Sequence, residues 1–565
     1  MYKKLLACGM ALLMCGCSAK AAGNDQVLTV GLSSEMNGTF SPMYYQTTND
    51  SYVVDLVYQG LLKYNKKGEL VADLAKSLPE ISEDGKTMTF KLKKGIQFSD
   101  GSKFTSKDVQ TTFTVMADPS YTGRFANNVD FLDGYSEYHD ADASSFTGVE
   151  TPDNYTVVFH LDKPRIDAVS TLGTQKICSS EYLNYKKGKT ENIEKKNSKP
   201  IGTGAYVLKK FEKTSGASLI SNSKFKAKKG QYQISKIMIK KTDTSTEVKE
   251  LENGTVDYIP DVIEANKIKS VQKNKSLSVD SYPSDRESFI IFNSYAGACS
   301  DVVVRKAIGY GFNAQEYIDN YYQIDGMAYK PGTFGNPVSL NNGKMIRNEE
   351  KVDGVTYYDY DVEKANQILE DAGYTLADDG YRYKDGEKLT IRFLANKDKD
   401  SLDSLIPVLQ KCLNAIGIDF KANTVEFNTV INTVQDDAQT DSWDATYLGF
   451  SYGSPDDTGI NFILRTGATN NFGRLSDEQL DAYLDAGMYT SDNEVSKENY
   501  HNALVRQSEL CGYLPVDSTK TYCLRNKNIK GMHTTSIYNW AQSIATAYIV
   551  GALIAALFCH LFLGI

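Results

Sequence analysis

Tyr58–Met116 reads YQGLLKYNKKGELVADLAKSLPEISEDGKTMTFKLKKGIQFSDGSKFTSKDVQTTFTVM, and it holds the chain's densest run of turn and capping signals. Asn65 to Gly68 predicts a turn, and Glu83-Asp84-Gly85 predicts the turn of a hairpin. From Thr87 to Leu92 the apolar Met88, Phe90 and Leu92 alternate with Thr87, Thr89 and Lys91, the pattern of a half-buried strand. Ser99-Asp100-Gly101 turns the chain again. Thr105, with Asp108 three residues on, then predicts a capped helix whose Val109, Thr112, Phe113 and Met116 face inward. The stretch is a small α/β unit.

Outward from this block, Leu28, Val30 and Leu32 alternate as an opening strand, followed by the turn-rich Asn37-Gly38-Thr39-Phe40-Ser41-Pro42. Beyond it, Asn313 followed by Glu316 opens a helix. Val362, Ala365, Ile368, Leu369 and Ala372 keep helical spacing up to Gly373, and Leu389, Ile391 and Phe393 alternate as a strand. Leu402 to Leu413 forms another helix, closed by Gly417 and followed by the strand Ile418–Phe420. Helix and strand alternating this way predict an α/β lobe with a largely parallel sheet.

The block from GLL at 60–62 through DLA at 73–75 and FSDG at 98–101 to Asp108-Val109 resembles the signature region of the extracellular solute-binding proteins of family 5. These are the peptide- and nickel-binding components of ABC importers. Lys199–Tyr206 (KPIGTGAY), Phe292-Asn293 with Asp301–Ala307 (DVVVRKA), and Trp443–Asp457 (WDATYLGFSYGSPDD) resemble further landmarks of that family. The resemblance covers about Leu28 to Ile544 and implies a two-lobed α/β fold of the periplasmic-binding-protein type II, in its large form with an additional α/β subdomain.

On that basis residues 27–50, 190–285 and 505–544 are expected to form lobe 1, 51–189 the additional subdomain and 286–504 lobe 2. A peptide of varied sequence is held through its backbone, the only part common to all such ligands. The resemblance places Tyr45, Gln46, Thr47 and Thr48 on the first wall of the cleft, and Tyr447, Gly449, Phe450, Ser451, Tyr452 and Asp456 on the second. It implies a monomer without enzymatic activity or cofactor. The solute is an oligopeptide or another small molecule, and the partners are permease subunits and their ATPase. One departure touches the solute: peptide-specific members hold the ligand's α-ammonium with an Asp shortly after the wall's aromatic residue, where this chain has Tyr452-Gly453.

The ends carry their own signals. Lys3-Lys4 and the apolar Leu5–Met14 form an export leader over residues 1–16, and Gly16-Cys17 resembles a lipobox, so Cys17 is the expected lipid anchor and residues 17–26 a tether. This places the domain in the cell envelope, at the outer face of the cytoplasmic membrane or in the periplasm. Residues 545–565 contain no Asp, Glu, Lys or Arg and have the length of a membrane-spanning helix, whether a genuine span, a read-through end or the start of a fused permease.

Bulk composition agrees with a globular body: of 565 residues, 41% are hydrophobic and 24% charged. A net charge of -9 without a basic stripe argues against nucleic acid. Neither a CxxC nor an HExxH occurs, and no two histidines stand four apart, so no metal site is expected. Cys511 and Cys523 either pair or, with the others, are buried thiols. Gly449–Gly453 also fits G-x-S-x-G with His501 and His533 downstream, which makes a surface serine hydrolase using Ser451 the alternative from another class. Ser454–Gly459 reads as a turn where that elbow needs a helix. A solute-sensing lipoprotein without transport is the third reading.

Overall fold

The alternation of Leu28, Val30 and Leu32 forms strand β1 (Gln26–Leu32) in the computed structural model, which describes residues 26–141 and 143–550. A helix, Thr48–Val57, follows, with Thr47 as its cap: Thr47 Oγ1 accepts the Asp50 N–H at 3.1 Å. Asn65–Gly68 turns β2 (Leu62–Tyr64) into β3 (Leu70–Ala72), and Gly68 supplies the positive φ of 80° that this turn requires. Glu83-Asp84-Gly85 turns β4 (Glu80–Ile81) into β5 (Thr87–Lys91), in which Met88 and Phe90 are buried. Thr105 and Asp108 form a capping box on the helix Ser106–Met116, the Asp108 carboxylate accepting the Thr105 N–H at 2.7 Å. β6 (Val149–Asp153) and β7 (Thr156–His160) complete a four-stranded antiparallel sheet in the order β4-β5-β7-β6. Phe113 from the helix and Phe90 from the sheet both pack edge-on against Phe159.

A twelve-stranded sheet organises the rest. Its strands are β8 (Tyr206–Glu212), β9 (Gly216–Ser221), β10 (Ile234–Lys241), β11 (Tyr258–Val262), β12 (Leu277–Pro283), β13 (Arg286–Phe292) and β14 (Ala328–Tyr329). Three short strands, β15 (Thr375–Leu376), β16 (Arg382–Lys384) and β17 (Glu387–Lys388), form a separate ribbon. β18 (Thr390–Asn396), β19 (Asp419–Val425), β20 (Ala445–Ser451) and β21 (Tyr513–Asn526) rejoin the large sheet, in the order β19-β18-β20-β13-β21-β11-β1-β10-β9-β8.

The sheet is mixed where the alternation of helix and strand predicts a largely parallel one. β18 is parallel to β19 and β20, but β13 runs antiparallel to both β20 and β21. The cause is a pair of crossings. The chain passes from β12 into β13 at Ser284-Asp285, and β21 runs back alongside, pairing with β13 at one end and with β11 and β12 at the other. The Ser284 N–H donates to the Thr519 carbonyl at 2.9 Å, and Ser518 Oγ donates to the Arg286 carbonyl at 2.8 Å, tying the two crossings together. Neighbours running in opposite directions between the same two cores must be antiparallel.

Elements of the fold lie across two of the expected domain edges and at the start of the C-terminal segment. The helix Thr48–Val57 spans the expected edge at residue 51, and Asn493–Leu510 runs unbroken through the edge at 504/505. Residues 545–550 are not the start of an apolar helix. The Ala545 carbonyl accepts the Tyr232 N–H at 3.0 Å, Ala547 is fully buried, and β23 (Tyr548–Ile549) pairs with β22 (Ile529–Lys530). Ala547 enters the domain interior, while Tyr548 and Val550 are exposed. No helix among the described residues is long and apolar enough to cross a membrane. The leader, Cys17, the tether up to residue 25 and residues 551–565 lie outside the described residues. Cys511 and Cys523 are both buried free thiols; burial pushes Cys511 up to about 11 and Cys523 up to about 12.

Candidate functional site

β20 borders a cavity. On one side it pairs with β13 along its whole length, from Ala445 opposite Phe292 to Ser451 opposite Arg286. On the other side it pairs with β18 only at Ala445 and Thr446. From Tyr447 to Ser451 that second edge therefore has no strand partner among the described residues. A cavity of about 520 Å³ lies there, lined by Tyr447, Gly449, Phe450 and Ser451 together with Glu287, Lys399, Phe427 and Phe472.

The aromatic side of the cavity is held from behind. Phe450 stacks on Phe472 at 6.0 Å between centroids and tilts against Phe289 at 6.1 Å. Its ring is half-buried, so one face remains for a ligand. Phe427 is 49% exposed, which leaves much of its ring open beside the cavity. Gly449 leaves the strand surface bare: a Cβ there would stand 3.1 Å from the Glu287 carbonyl oxygen, so the neighbouring strand would have to give way.

The polar side is charged. Tyr447 is buried, and its hydroxyl donates to Asp517 at 2.7 Å; Tyr322 donates to the other oxygen of Asp517, also at 2.7 Å. The Lys399 ammonium sits 4.1 Å from the centre of the Tyr447 ring. Burial lowers the Lys399 pKa and raises that of Asp517, and the opposite charges of the two work against both shifts. Glu287, on β13 opposite Phe450, is fully buried. One of its oxygens accepts the Gly335 N–H at 3.1 Å and the other has no partner, while desolvation holds its pKa well above the ordinary carboxylate range.

Residues 69–472 match the family described as bacterial extracellular solute-binding proteins, family 5 middle. The chain belongs to this family. The oligopeptide-binding protein AppA of Bacillus subtilis is 25% identical over 440 residues, covering 76% of this chain and 75% of the relative. Among solved structures, the ABC transporter substrate-binding protein CtaP of Listeria monocytogenes superposes with a TM-score of 0.76 at 21% identity, over 93% of this chain and 100% of that one. AppA of Bacillus subtilis in complex with a nonapeptide gives 0.67 at 20% identity, over 93% and 99%. The solute-binding protein thus shares its two-lobed fold with these structures.

Of the residues that the sequence nominates, the cavity collects Tyr447, Gly449, Phe450 and Ser451. Tyr447 contributes its ring, because its hydroxyl is turned into the core. Tyr452 does not line the cavity: its hydroxyl is buried and without a partner. Asp456 is also absent from the lining; its carboxylate accepts the Thr458 N–H at 3.1 Å and the Thr458 hydroxyl at 2.6 Å, fastening a turn. Next to it Asp457 is buried, accepts from Asn342 at 2.8 Å and is pushed up by burial to about 6. On the first lobe, Tyr45 packs on Phe125 at 5.0 Å beneath the Arg124 guanidinium, Gln46 and Thr48 are exposed, and Thr47 is spent as a helix cap. None of these four lines the cavity beside β20.

The hydrolase arrangement does not assemble. The Ser451 hydroxyl donates to Asp285 at 2.8 Å, while His501 and His533 line other cavities. Residues after Ser451 form bends and a 3-10 turn at Thr458–Ile460, so the helix that a nucleophile elbow needs is missing.

Glu287, Lys399, Phe427 and Phe472 were not legible as site residues. A faint signal exists for Glu287, a carboxylate at the head of the apolar run Phe289–Phe292 in Arg286–Phe292. Lys399 lies in a charged loop, and nothing in its neighbours distinguishes it from Lys397.

Proposed function

We propose that this protein captures oligopeptides or a peptide-like solute between its two lobes for an ABC importer, with Tyr447–Ser451 as one wall. The observation that carries this is the unpaired edge of β20 beside an aromatic-lined cavity. An extended peptide added there as a strand would satisfy its own backbone and that of β20, whatever its side chains. Two relatives point the same way: AppA is known in complex with a nonapeptide, and lactococcal OppA with an endogenous peptide in a closed conformation. Tyr45–Thr48 would form the opposing wall once the lobes close about the crossings at Ser284-Asp285 and Ser518-Thr519.

The working division is lobe 1 at 26–60, 190–283 and 518–550, the additional subdomain at 61–189, and lobe 2 at 285–517. The protein works as a monomer, without chemistry of its own, delivering solute to permease subunits and their ATPase. Cys17 holds it to the outer face of the membrane; palmitate labelling that persists in Cys17→Ser would remove that anchor. The function is tested by denaturing the purified protein and identifying released ligand by mass spectrometry. Peptides are expected, and a saccharide or metal chelate in their place overturns the reading.

A further inference from the structure

A cavity of about 970 Å³ is lined by residues drawn from 59–97, 203–232 and 533–546, and shares no lining residue with the cavity beside β20. Its lining carries eight lysines. Lys63 and Lys66 come from the β2–β3 hairpin and Lys76 from just beyond β3. Lys93 and Lys94 follow β5 and are turned by Gly95 at a φ of 76°. Lys224, Lys226 and Lys228 come from the connection between β9 and β10. Segments far apart in sequence thus bring lysines to the lining of one concavity; the Lys94 ammonium lies 5.1 Å from the centre of the Tyr155 ring, and the Lys93 ammonium donates to the Asp73 carbonyl.

The counter-charge is small. Among the described residues Asp73 is the one carboxylate in this lining, and one of its oxygens already accepts from Lys63 at 3.1 Å and from Gln59 at 2.8 Å. A solvated lysine face normally interleaves with acids, and this chain has them to spare, with 71 acidic against 62 basic residues. Burial, together with repulsion from Lys63 and Lys228, lowers the Lys93 pKa against the pull of Asp73. Thr203 adds an independent observation: its side chain is 1% exposed, lines the cavity, and its hydroxyl has no partner. Phe225, Tyr232 and Tyr538 give the cavity an aromatic back wall.

We propose that this cavity is a second binding site, separate from the solute cleft, for a small ligand carrying two or more phosphate groups. The choice of phosphate follows from the donors. Among the described residues no arginine lines the cavity, and the planar fork that pairs with a carboxylate is therefore missing. Compact ammonium charges on flexible stems, carried by lysines of three separate segments of the lining, suit the dispersed oxygens of linked phosphates. The volume exceeds that of a single phosphate, and the tyrosines offer a face to a ring or a chain attached to the anion. The phosphates belong either to a free solute or to lipid headgroups; Tyr232 in the wall lies two residues before Ile234, which pairs with Gln26 at the start of β1.

The test uses the whole protein and tripolyphosphate in titration calorimetry, with cosedimentation on phosphatidylglycerol and phosphatidylcholine vesicles as the second arm. One equivalent of tripolyphosphate is expected to bind. The triple variant Lys66→Glu, Lys94→Glu, Lys226→Glu should raise its Kd by about 30-fold or more, the scale expected when several screened ammonium–phosphate pairs are removed together. The control triple Lys107→Glu, Lys269→Glu, Lys273→Glu carries the same charge change on lysines outside the cavity and should change Kd by less than about 3-fold. Both triples should keep the parent's thermal unfolding within a few degrees. Binding of tripolyphosphate assigns a free solute. Retention on phosphatidylglycerol vesicles alone, lost in the cavity triple only, assigns headgroup phosphates. Absence of both, or equal loss in the two triples, overturns the site.

Discussion

Replacing Phe450 separates a binding wall from every other role that its segment offers. The ring is braced by Phe289 and Phe472 and leaves one face to the cavity. If roughly 50 Å² of ring remains open and a ligand covers it with an equal area of its own, about 100 Å² leaves water, worth about 2.5 kcal/mol at ~25 cal/mol per Å². Phe450→Ala should then weaken solute binding by about 1–3 kcal/mol, roughly 5- to 150-fold in Kd. The braced part of the ring predicts a stability loss of about 2–3 kcal/mol, below the range for a fully buried Phe. Phe450→Leu keeps most of the apolar face and should recover most of both. Ser451→Ala leaves the strand backbone intact and removes one hydrogen bond to Asp285, which keeps the Gly453 N–H at 3.0 Å, so affinity should change by at most about 1 kcal/mol. Calorimetry with a resynthesised released peptide reads all three, beside an ester-hydrolysis assay. The wall assignment fails if folded Phe450→Ala binds like the parent, or if Ser451→Ala abolishes a measurable parental turnover.

Three further outcomes rest on buried groups. Asp457 ionises at about 6 in the folded protein against an ordinary 3.8, so its contribution is fully present below 3.8 and is lost as pH rises through about 6. The gap corresponds to on the order of 3 kcal/mol, and Asp457→Asn should gain on the parent in urea unfolding at about pH 7.5 relative to about pH 4.5; an unchanged difference refutes it. Tyr447→Phe strips Asp517 of one of its two tyrosine donors and should cost about 1–3 kcal/mol in urea unfolding, with no loss counting against the buried network. Truncation after Ile544 removes Ala547, the β22–β23 pairing and the hydrogen bond between Ala545 and Tyr232, and should lower stability by about 2–4 kcal/mol; thermal unfolding identical to the full chain would return these residues to a dispensable tail.

By itself the sequence determined what depends on neighbours within about four residues. The turns at Asn65–Gly68 and Glu83–Gly85, the Thr105–Asp108 box and the helix stop at Gly417 all stand where side-chain chemistry and positive φ demand them, since each is closed by a local hydrogen bond or a glycine. The stretch Gly449–Ser451, which lines the cavity beside β20, was singled out too, through a family landmark long enough to fix its register. Tertiary structure alone decided what depends on distant partners. Strand direction follows from the side-by-side crossings of β12–β13 and β21, and nothing local to any of these strands encodes it. The open edge of β20 exists because β18 stops pairing after Thr446, and that divergence brings Lys399 and Phe427 into one cavity with Glu287. The same holds at residues 545–550, where the start of an apolar stretch buries Ala547 and pairs Tyr548–Ile549 with Ile529–Lys530: hydropathy reports a tendency to leave water, and only the fold decides which side chains do so and what they enter.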